Sequence, residues 1–584
     1  MYFRDSTRRY KDRLYHSLQL VECHRHPETR KPTTRVIASL GDLSKIDEGD
    51  RMALVVSLAR ALGVLDLVTL SSDEIAVADM GAATARTRSV GAMWAILEVM
   101  RQLHIPEVWE ELTAGRKNHR SLANHLTALL CNRLDDPGSK LSLLSWLERV
   151  LIPGLDPDDI TYQGLLRTMD VLLEHKEEIE RALADRLLTM FDTELDLVLM
   201  DVTSISVSTI ASNHPLFAYG YSRDGHPERK QYVLMMVTTK DGIPVYHDVH
   251  PGNTADSTLV QETMEQAQKI FPNIDRCMVV GDKAMLSEKN LAALAGLGFD
   301  HLTAMPLKRE SGTREIVEET HAELVQKAED AMRGLEEGEK IPQVWTEVEV
   351  DDGRVIVAYS KTIAVAEASR RQAKIDAFDD RSAVIEAKLQ GKVKSRGRPL
   401  TDEGAFKQLV REALEKKLTA YFRIELRGQF LWVEPIEEAQ EYARKCDGKL
   451  AMHTDNTDLG AEELYRIYKD LQEIERSWRT LKSAIKIRPT FHWTERRVRA
   501  HVFLCVLALV IERVMRLKLQ AAKSDCSPQR ALRELRQLMH VKLTLPTRNR
   551  EYNLLANKKP IQGELFRALE IEPLTDARLR KILA

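Results

Sequence analysis

The alternation of short strands and helices between residues 195 and 305 constrains the fold of this 584-residue chain most strongly. Three apolar, β-branched runs come first, LDLVLMDVTSISV, KQYVLMMVTTK and IPVYHDVH, with an Asp-Gly turn between the last two. Such runs and such a turn predict a three-stranded antiparallel meander. A helix from Asp256 to about Ile270, the strand RCMVVGD, the helix SEKNLAALAGLG and the strand FDHLTAMPL follow. This order predicts an α/β domain.

Two aspartates end apolar runs in this segment. Asp201 closes LVLMD and Asp282 closes CMVVGD. Three strands, helix, strand, helix, strand is the ribonuclease H-like order, in which the first and fourth strands are neighbours in the central sheet. We therefore expect the two carboxylates to lie side by side. Asp196 competes with Asp201 as the first acid, but Asp201 follows the apolar run, where a strand exits toward solvent.

A third acid, Glu475, lies in the segment 461–487, whose periodicity predicts an amphipathic helix. At 100° per residue, a polar stripe about 60° wide carries this lone acid among bases, and a separate stripe is apolar. The polar stripe contains Tyr468, Glu475, Arg479, Lys482 and Lys486, and the apolar stripe contains Ile467, Ile474, Trp478, Leu481 and Ile485. An ordinary surface helix, with Glu475 paired only to Arg479 one turn on, stays open on periodicity alone.

Carboxylates at two strand ends and on one helix can converge on divalent cations. Mg²⁺ prefers hard oxygen ligands, and two such ions roughly 3.5 to 4 Å apart can activate a nucleophile and stabilise a leaving oxygen together. The three acids therefore outline a two-metal phosphoryl-transfer site.

The charge distribution favours a nucleic-acid substrate although the net charge is −3. Between Arg476 and Gln520 there are 11 Lys or Arg and only two acids, whereas Glu310 to Asp352 holds 14 acids and 4 bases. Phosphate binding draws much of its affinity from Lys and Arg. The net charge of the whole chain therefore hides a basic surface in the segment from Arg476 to Gln520. An ordinary solvated helix face would instead alternate acidic and basic residues.

Five segments carry a resemblance to a known family: DVTSI, GYSRDGHPERKQ, PGNTAD, VVGDKAMLSEKNL and YKDLQEIERSWRTLK. Together they resemble the DDE transposases of bacterial insertion sequences, in the subgroup marked by a Tyr-x2-Arg-x3-Glu-x6-Lys signature. Tyr468, Glu475 and Lys482 match the signature at the right spacing, whereas Leu471 occupies its Arg position. Arg476 or Arg479 could supply the missing phosphate contact.

The resemblance implies a transposase that cuts the ends of its insertion sequence and joins them to target DNA. Asp201, Asp282 and Glu475 would be catalytic and would hold two Mg²⁺ or Mn²⁺ ions. The partners would be double-stranded DNA, as terminal inverted repeats and target, and a second copy of the chain in a homodimeric synaptic complex. DNA-binding residues would include Tyr468, Arg476, Arg479, Lys482 and Lys486, with Tyr219, Arg223 and Lys230 as further candidates along the DNA path.

The changes of rhythm along the chain predict five segments. These are 1–190, an N-terminal β-hairpin plus helical DNA-binding region; 191–309, the first part of a ribonuclease H-like core; 310–455, an inserted mixed α/β domain; 456–520, the second part of the core with the Glu475 helix; and 521–584, a C-terminal helical tail. The hairpin is LYHSLQLVECHRHPETRKPTTRVIASLG, and helices are predicted at DRMALVVSLARALG, GAMWAILEVMRQL and NHRSLANHLTALLCNRL.

A basic sequence within the insert, KVKSRGRPL, resembles an AT-hook. Its Arg396 and Arg398 could enter a narrow minor groove, contact phosphates without sequence preference, or lie in a solvated loop. All three alternatives stay open.

The cysteines and the apolar runs limit where the protein can work. Six cysteines are scattered without a CxxC pair, which argues against a disulfide framework and a structural zinc site. The longest apolar run, 502–511, is far shorter than the roughly 20 residues that span a bilayer, so it predicts a buried helix. We expect a protein without a membrane partner, in the bacterial cytoplasm and on the chromosome.

Two other functions stay open on the sequence alone. One is a catalytically retired ribonuclease H-like DNA-binding regulator, and the other is an interaction protein whose basic helix pairs with an acidic partner. Intact acids at all three positions disfavour both, because a retired site has little physical reason to keep unpaired carboxylates clustered.

Overall fold

The computed structural model describes residues 2–10, 13–25, 32–39, 84–191, 197–208, 213–223, 225–271, 277–283, 285–307, 311–336, 339–393, 399–428, 430–545 and 550–583. They form two compact units, Met1–Val171 with Val514–Ala584, and Leu172–Arg513. The predicted helix at DRMALVVSLARALG and the competing acid Asp196 lie outside the described residues.

The first unit begins with a three-stranded antiparallel sheet. β1 (Tyr2–Tyr10) pairs with β2 (Arg13–Arg25), which pairs with β3 (Pro32–Ser39). The β2–β3 pair confirms the predicted hairpin. The polar strand YFRDSTRRY lacks the apolar alternation that would predict β1 from the sequence.

A short strand and a series of helices follow. They are β4 (Thr84–Ser89), α1 (Gly91–Gln102), α2 (Ile105–Thr113), α3 (His119–Asp135), α4 (Lys140–Leu147) and α5 (Tyr162–Glu174). The helices predicted at GAMWAILEVMRQL and NHRSLANHLTALLCNRL are confirmed as α1 and α3. Most residues of α1 are buried, so this helix lies at the core of the first unit.

The second unit contains an eight-stranded mixed sheet that follows α6 (Lys176–Phe191). β5 (Leu197–Ser206), β6 (Gln231–Thr239) and β7 (Pro244–Pro251) form the predicted antiparallel meander. Then come α7 (Val260–Ile270), β8 (Met278–Gly281), α8 (Glu288–Gly296) and β9 (Asp300–Met305), in the predicted order. β8 lies between β5 and β9 and is parallel to both. Asp201 is in β5 and Asp282 directly follows β8, so the two aspartates belong to neighbouring strands.

The segment 310–455 contains both helices and strands. They are α9 (Ser311–Met332), β10 (Val344–Val350), β11 (Gly353–Tyr359), α10 (Lys361–Leu389), α11 (Asp402–Lys416), β12 (Phe422–Arg427), β13 (Phe430–Pro435), α12 (Glu437–Cys446) and β14 (Lys449–Thr454). β14 pairs antiparallel with β9 and is followed outward by β11 and β10, so three of these strands extend the main sheet. α10, α11 and the β12–β13 hairpin enclose a small core of their own.

Two long helices come after the sheet, α13 (Ala461–Ser483) and α14 (Glu495–Ala521). α13 packs against β5, β8 and β9. Every residue of 502–511 in α14 is buried, which confirms the predicted buried helix.

Val198, Met200 and Val202 of β5 belong to a core that also holds residues of α7 and α8. Because strand side chains alternate between faces, Asp201 and Thr203 lie on the other face, where α13 packs.

The C-terminal part of the first unit combines helices with strands. It contains α15 (Pro528–Leu535), β15 (Met539–Leu545), β16 (Arg550–Ala556), α16 (Pro560–Ala568) and α17 (Asp576–Leu583). β15 is the central strand of a sheet in the order β16–β15–β4. The tail is therefore not the wholly helical one that we expect from the sequence. MHVKLTL alternates apolar and polar residues, and its partner β4 comes from the other end of the chain, beyond the reach of local patterns.

Candidate active site

Asp201 occupies the middle of β5 and is held by two hydrogen bonds. Its Oδ1 accepts from the Val202 backbone N–H at 2.7 Å, and its Oδ2 accepts from the indole Nε1–H of Trp478 at 2.8 Å. Burial raises the pKa of Asp201 to about 6 against the lowering effect of these two bonds, and the nearby charge of Asp282 raises it further. Desolvation disfavours the charged form of this carboxylate, and a nearby cation would stabilise that form.

Asp282 lies directly after β8, whose parallel pairing with β5 sets Leu199 opposite Val280. Its Oδ1 accepts a hydrogen bond from the backbone N–H of Met285 at 3.0 Å, so the carboxylate caps the turn that leads to α8. The side chain is exposed. The pairing of β5 with β8 thus brings the two carboxylates close enough for the charge of Asp282 to raise the pKa of Asp201, as the predicted neighbourhood of the two strands requires. The expectation that the strand ends at Asp201 is wrong, because β5 continues to Ser206.

Helix α13 docks on Asp201 and Thr203 of β5 through two side chains one turn apart. Trp478 donates to Asp201, and the Lys482 Nζ donates to the Thr203 hydroxyl at 2.7 Å. Asp201 and Thr203 are two residues apart on one face of the strand, and Trp478 and Lys482 are four residues apart on one face of the helix. The two pairs are therefore spaced by similar distances, roughly 6 to 7 Å, and can meet one to one. The predicted apolar stripe is confirmed where it meets the sheet, since Ile474, Trp478 and Leu481 are buried.

Glu475 lies one helical turn before Trp478 and is exposed. Tyr468 lies within the influence of both Asp282 and Glu475: burial, then the charge of Asp282, then that of Glu475 raise its pKa to about 12. In the part of the chain that the structure describes, no ion pair joins Glu475 to Arg479. The ordinary surface pair considered from periodicity is therefore absent there.

The donor set fits a hard cation only in part. Asp201 and Asp282 are neighbouring carboxylates, and the pKa of the half-buried Asp201 is raised, which is what a divalent ion would relieve. Among the described residues, however, no three His, Cys, Asp or Glu side chains are gathered closely enough to hold a metal ion. The structure therefore brings together two of the three predicted ligands and leaves Glu475 on the helix beside them.

An acid that the sequence reasoning does not single out, Asp256, also faces this site. It forms an ion pair with Arg223, whose backbone N–H donates to the Ser204 hydroxyl at 2.8 Å. Burial raises the pKa of Asp256, Arg223 lowers it, and the charge of Asp282 raises it again. Asp256 is the last residue of PGNTAD, one of the five segments that carry the family resemblance. That resemblance was the only sequence feature that could have pointed to Asp256 as a residue of the site.

The middle of α13 is anchored by a second network around Glu473. Glu473 accepts from the buried guanidinium of Arg513 at 2.6 Å and also pairs with Arg476. Arg513 donates in addition to the backbone carbonyl of Asp241 in the β6–β7 turn. The next residue, Gly242, has φ of +72°, and a Cβ there would lie 2.9 Å from the Arg513 guanidinium. The turn and the helix are thus fixed to each other two residues from Glu475.

The remaining predicted DNA-binding residues fall into three groups. Arg479 is exposed on α13, and Arg476 is partly engaged with Glu473. Lys486 lies beyond the helix, which ends at Ser483, and has φ of +53°, so its place on the predicted polar stripe is wrong. Arg396 and Arg398 lie outside the described residues.

Comparison with known families identifies the class of protein. Residues 192–511 match the family model of the transposase DDE domain, which spans the sheet, both aspartates, α13 and most of α14. The chain belongs to the DDE transposases, enzymes that depend on metal ions and act on DNA as endonucleases and strand transferases. Residues 3–62 match the N-terminal domain of the IS1634 family of transposases, so this is a transposase of an insertion sequence.

A search of curated proteins found no match. In the described part of the chain, no helix is both long and apolar enough to cross a membrane.

Proposed function

We propose that Asp201, Asp282 and Glu475 are the catalytic acids of this transposase and bind its metal ions on a ribonuclease H-like core. The observation that carries the proposal is the docking of α13, the helix of Glu475, on the Asp201 carboxylate through Trp478. The parallel pairing of β5 with β8 and the order of the elements from β5 to β9 support the same core. The exposed Glu475 would have to turn toward the two aspartates to complete the site.

The ions would be two Mg²⁺ or Mn²⁺, which would supply activation of the attacking oxygen and charge stabilisation of the leaving oxygen. The protein's part is to fix the acceptors. β5 and β8 hold the two aspartates by strand pairing, and Trp478 orients the Asp201 carboxylate by occupying Oδ2. Water first attacks a phosphodiester at the element end and releases a 3′-hydroxyl. That hydroxyl then attacks target DNA in line and displaces another 3′-oxygen.

The basic residues of α13 and its surroundings would hold the DNA. Tyr468 and Lys482 flank the acids and match the signature, so they would contact the backbone next to the cut. Arg479, Arg476 and Lys486 would extend that contact, with Arg479 best placed to substitute for the arginine that Leu471 replaces. Arg396 and Arg398 would add contacts from the insert.

The segments 1–190, 191–309, 310–455, 456–520 and 521–584 stay our proposal for the functional division of the chain. Two copies would pair two element ends in a synaptic homodimer. The terminal inverted repeats and the target would both be double-stranded DNA.

Nicking of the protein's own terminal repeats in Mg²⁺ tests the assignment. Asp282→Asn and Glu475→Gln should each reduce nicking by more than the roughly 10- to 100-fold that loss of an outer-shell metal partner costs. Glu463→Gln, at an exposed acid in the first turn of the same helix, is the matched control and should keep activity. Normal nicking by Glu475→Gln would sink the triad, and binding without any nicking by the wild type would indicate the retired regulator.

A further inference from the structure

Four large aromatic side chains near the active site are exposed to solvent. Tyr219 and Tyr221 precede β6 and are 61% and 82% exposed, and Phe491 and Trp493 precede α14 and are 54% and 69% exposed. We call these four residues the aromatic edge. Exposed apolar surface of this kind commonly marks a binding site.

The backbone between the two tyrosines is pinned. Ala218 and Gln231 exchange two backbone hydrogen bonds, of 3.1 and 2.9 Å. Gly220 packs so tightly that a Cβ there would lie 2.0 Å from the carbonyl oxygen of Gly252. Gln231 also donates from Nε2 to the Tyr221 carbonyl at 3.0 Å. The two rings therefore project from a fixed strip of backbone on either side of an inward-facing glycine.

The second pair is held in the same way. Thr490 lies 3.3 Å, hydroxyl to hydroxyl, from Tyr232. His492 is buried, with its ring centroid 5.5 Å from that of His501. Phe491 and Trp493 flank this buried histidine and point outward. Both loops thus expose two aromatic rings around one anchored residue.

The two pairs share one end of the sheet, next to the proposed catalytic acids. Their anchors, Gln231 and Tyr232, are consecutive residues at the start of β6. The N–H of Arg223 bonds to Ser204, which is three residues beyond Asp201, or about 10 Å along the strand but on its other face. The Arg223 side chain reaches back toward the acids, since it pairs with Asp256, whose pKa the charge of Asp282 raises. The aromatic edge therefore lies within a few nucleotides' reach of the proposed cleavage point.

Cations accompany the rings. The guanidinium of Arg223 lies 5.7 Å from the centre of the Tyr221 ring, and the Lys230 ammonium lies 6.0 Å from that of Tyr219. The loop and helix start that carry the second pair, residues 486–499, contain five Lys or Arg and a single acid. Two of these bases also meet acids, Arg496 with Glu174 and Arg499 with Glu495 and Asp248. Aromatic faces interleaved with cations suit unpaired nucleotides, because each base offers a π-face and each phosphate a negative charge.

We propose that the aromatic edge stacks on unpaired bases of the DNA strand beside the cut, holding that strand apart from its complement. This inference rests on the proposed position of the active site. The positive charge of the flanking segment fits a nucleic acid better than a second copy of this chain, whose own edge would carry the same charge. A single strand is favoured over a duplex because a paired base keeps its faces inside the stack.

The test is binding by the full-length protein in EDTA, measured by fluorescence anisotropy. The probes are a labelled thymidine homopolymer of about 16 nucleotides and a blunt duplex of equal length. Tyr221→Ala and Trp493→Ala should each weaken single-strand binding between roughly fivefold and 150-fold and change duplex binding much less. Trp493→Phe should restore most of the affinity, since a phenyl ring still stacks.

Phe430→Ala and Trp432→Ala are matched controls, because both rings are exposed on the β12–β13 hairpin, at 71% and 46%. They should leave single-strand binding unchanged. Equal losses on both probes, or no loss on either, would overturn the proposal. So would a loss of dimer in light scattering with single-strand affinity intact, which would assign the edge to a second copy. Since no metal or cleavage is involved, failure of the catalytic triad would be seen separately in the nicking assay.

Discussion

The strand acids and the helix acid of this transposase are held in opposite ways. Asp201 and Asp282 are fixed by adjacent parallel strands and by hydrogen bonds to Val202, Trp478 and Met285. Glu475 is exposed, and its position depends on how α13 docks. If the proposed triad is correct, one half of the site is built by the sheet itself, whereas the other half depends on a helix that must be held in place.

The largest expected effect comes from disrupting the network that holds α13, the helix of Glu475. Glu473→Ala removes the partner of the buried Arg513 guanidinium, so we expect a loss of about 3 kcal/mol in the free energy of unfolding, measured by urea denaturation. Nicking should fall as well, because α13 loses its anchor to the β6–β7 turn. Glu463→Ala on the exposed face should cost only a few tenths of a kcal/mol. Equal losses in the two variants would mean that the network does not anchor α13.

The next effect tests the strand side through pH. The pKa of Asp201 is raised to about 6 from 3.8, so its protonated form stabilises the folded protein. That stability is complete below about pH 4 and is lost as the pH rises through 6, by up to about 3 kcal/mol in metal-free protein. Asp201→Asn should therefore match the wild type at pH 4 and be more stable at pH 7.

Denaturation in EDTA at several pH values measures this difference. Asp185→Asn, at an exposed position of α6, should show no such crossover. A wild type that gains stability over Asp201→Asn as the pH rises would contradict the raised pKa.

A smaller effect concerns the link between the two halves. Trp478→Phe keeps the apolar ring but removes the hydrogen bond to Asp201, so we expect nicking to fall roughly 10- to 100-fold. The midpoint of thermal unfolding should change little, since a single hydrogen bond contributes about 1 kcal/mol. Trp432→Phe on the exposed hairpin serves as the control. Undiminished nicking by Trp478→Phe would show that the indole only packs.

The smallest effect would sharpen the role of the helix as a DNA contact. Leu471→Arg restores the base of the family signature, so affinity for the element end should rise severalfold. The slope of log affinity against log salt should steepen by about 1. Leu471→Gln, equally polar but uncharged, should leave the slope unchanged. The same slope in both variants would remove position 471 from the DNA interface.

Local sequence patterns predicted the part of the fold that is built from neighbouring elements. The meander and the sequence of elements up to β9 follow from the order of short runs. The adjacency of Asp201 and Asp282 was expected only because that order is ribonuclease H-like, a fold in which the first and fourth strands are neighbours. The pairing of β15 with β4 and of β14 with β9 joins distant segments, and no periodicity records such partners.

For the candidate site, the sequence predicted which elements carry the residues but not the contacts that those residues make. The helical wheel placed Trp478 on the buried face but could not show that its indole would bond to Asp201. It also assumed that the helix continued to Lys486, whereas the chain leaves the helix after Ser483. Asp256 begins a short 3-10 helix, Asp256–Thr258, before α7, so its proximity to Asp282 depends on tertiary structure alone.

Metal binding by the end-bound transposase tests the central claim most directly. Mn²⁺ would be counted by electron paramagnetic resonance in the complex of the full chain with its own terminal repeat. Two ions per chain are expected for the wild type, and weaker binding with fewer ions for Asp282→Asn and for Glu475→Gln. Unchanged Mn²⁺ binding by Glu475→Gln would contradict a site shared between the sheet and the helix.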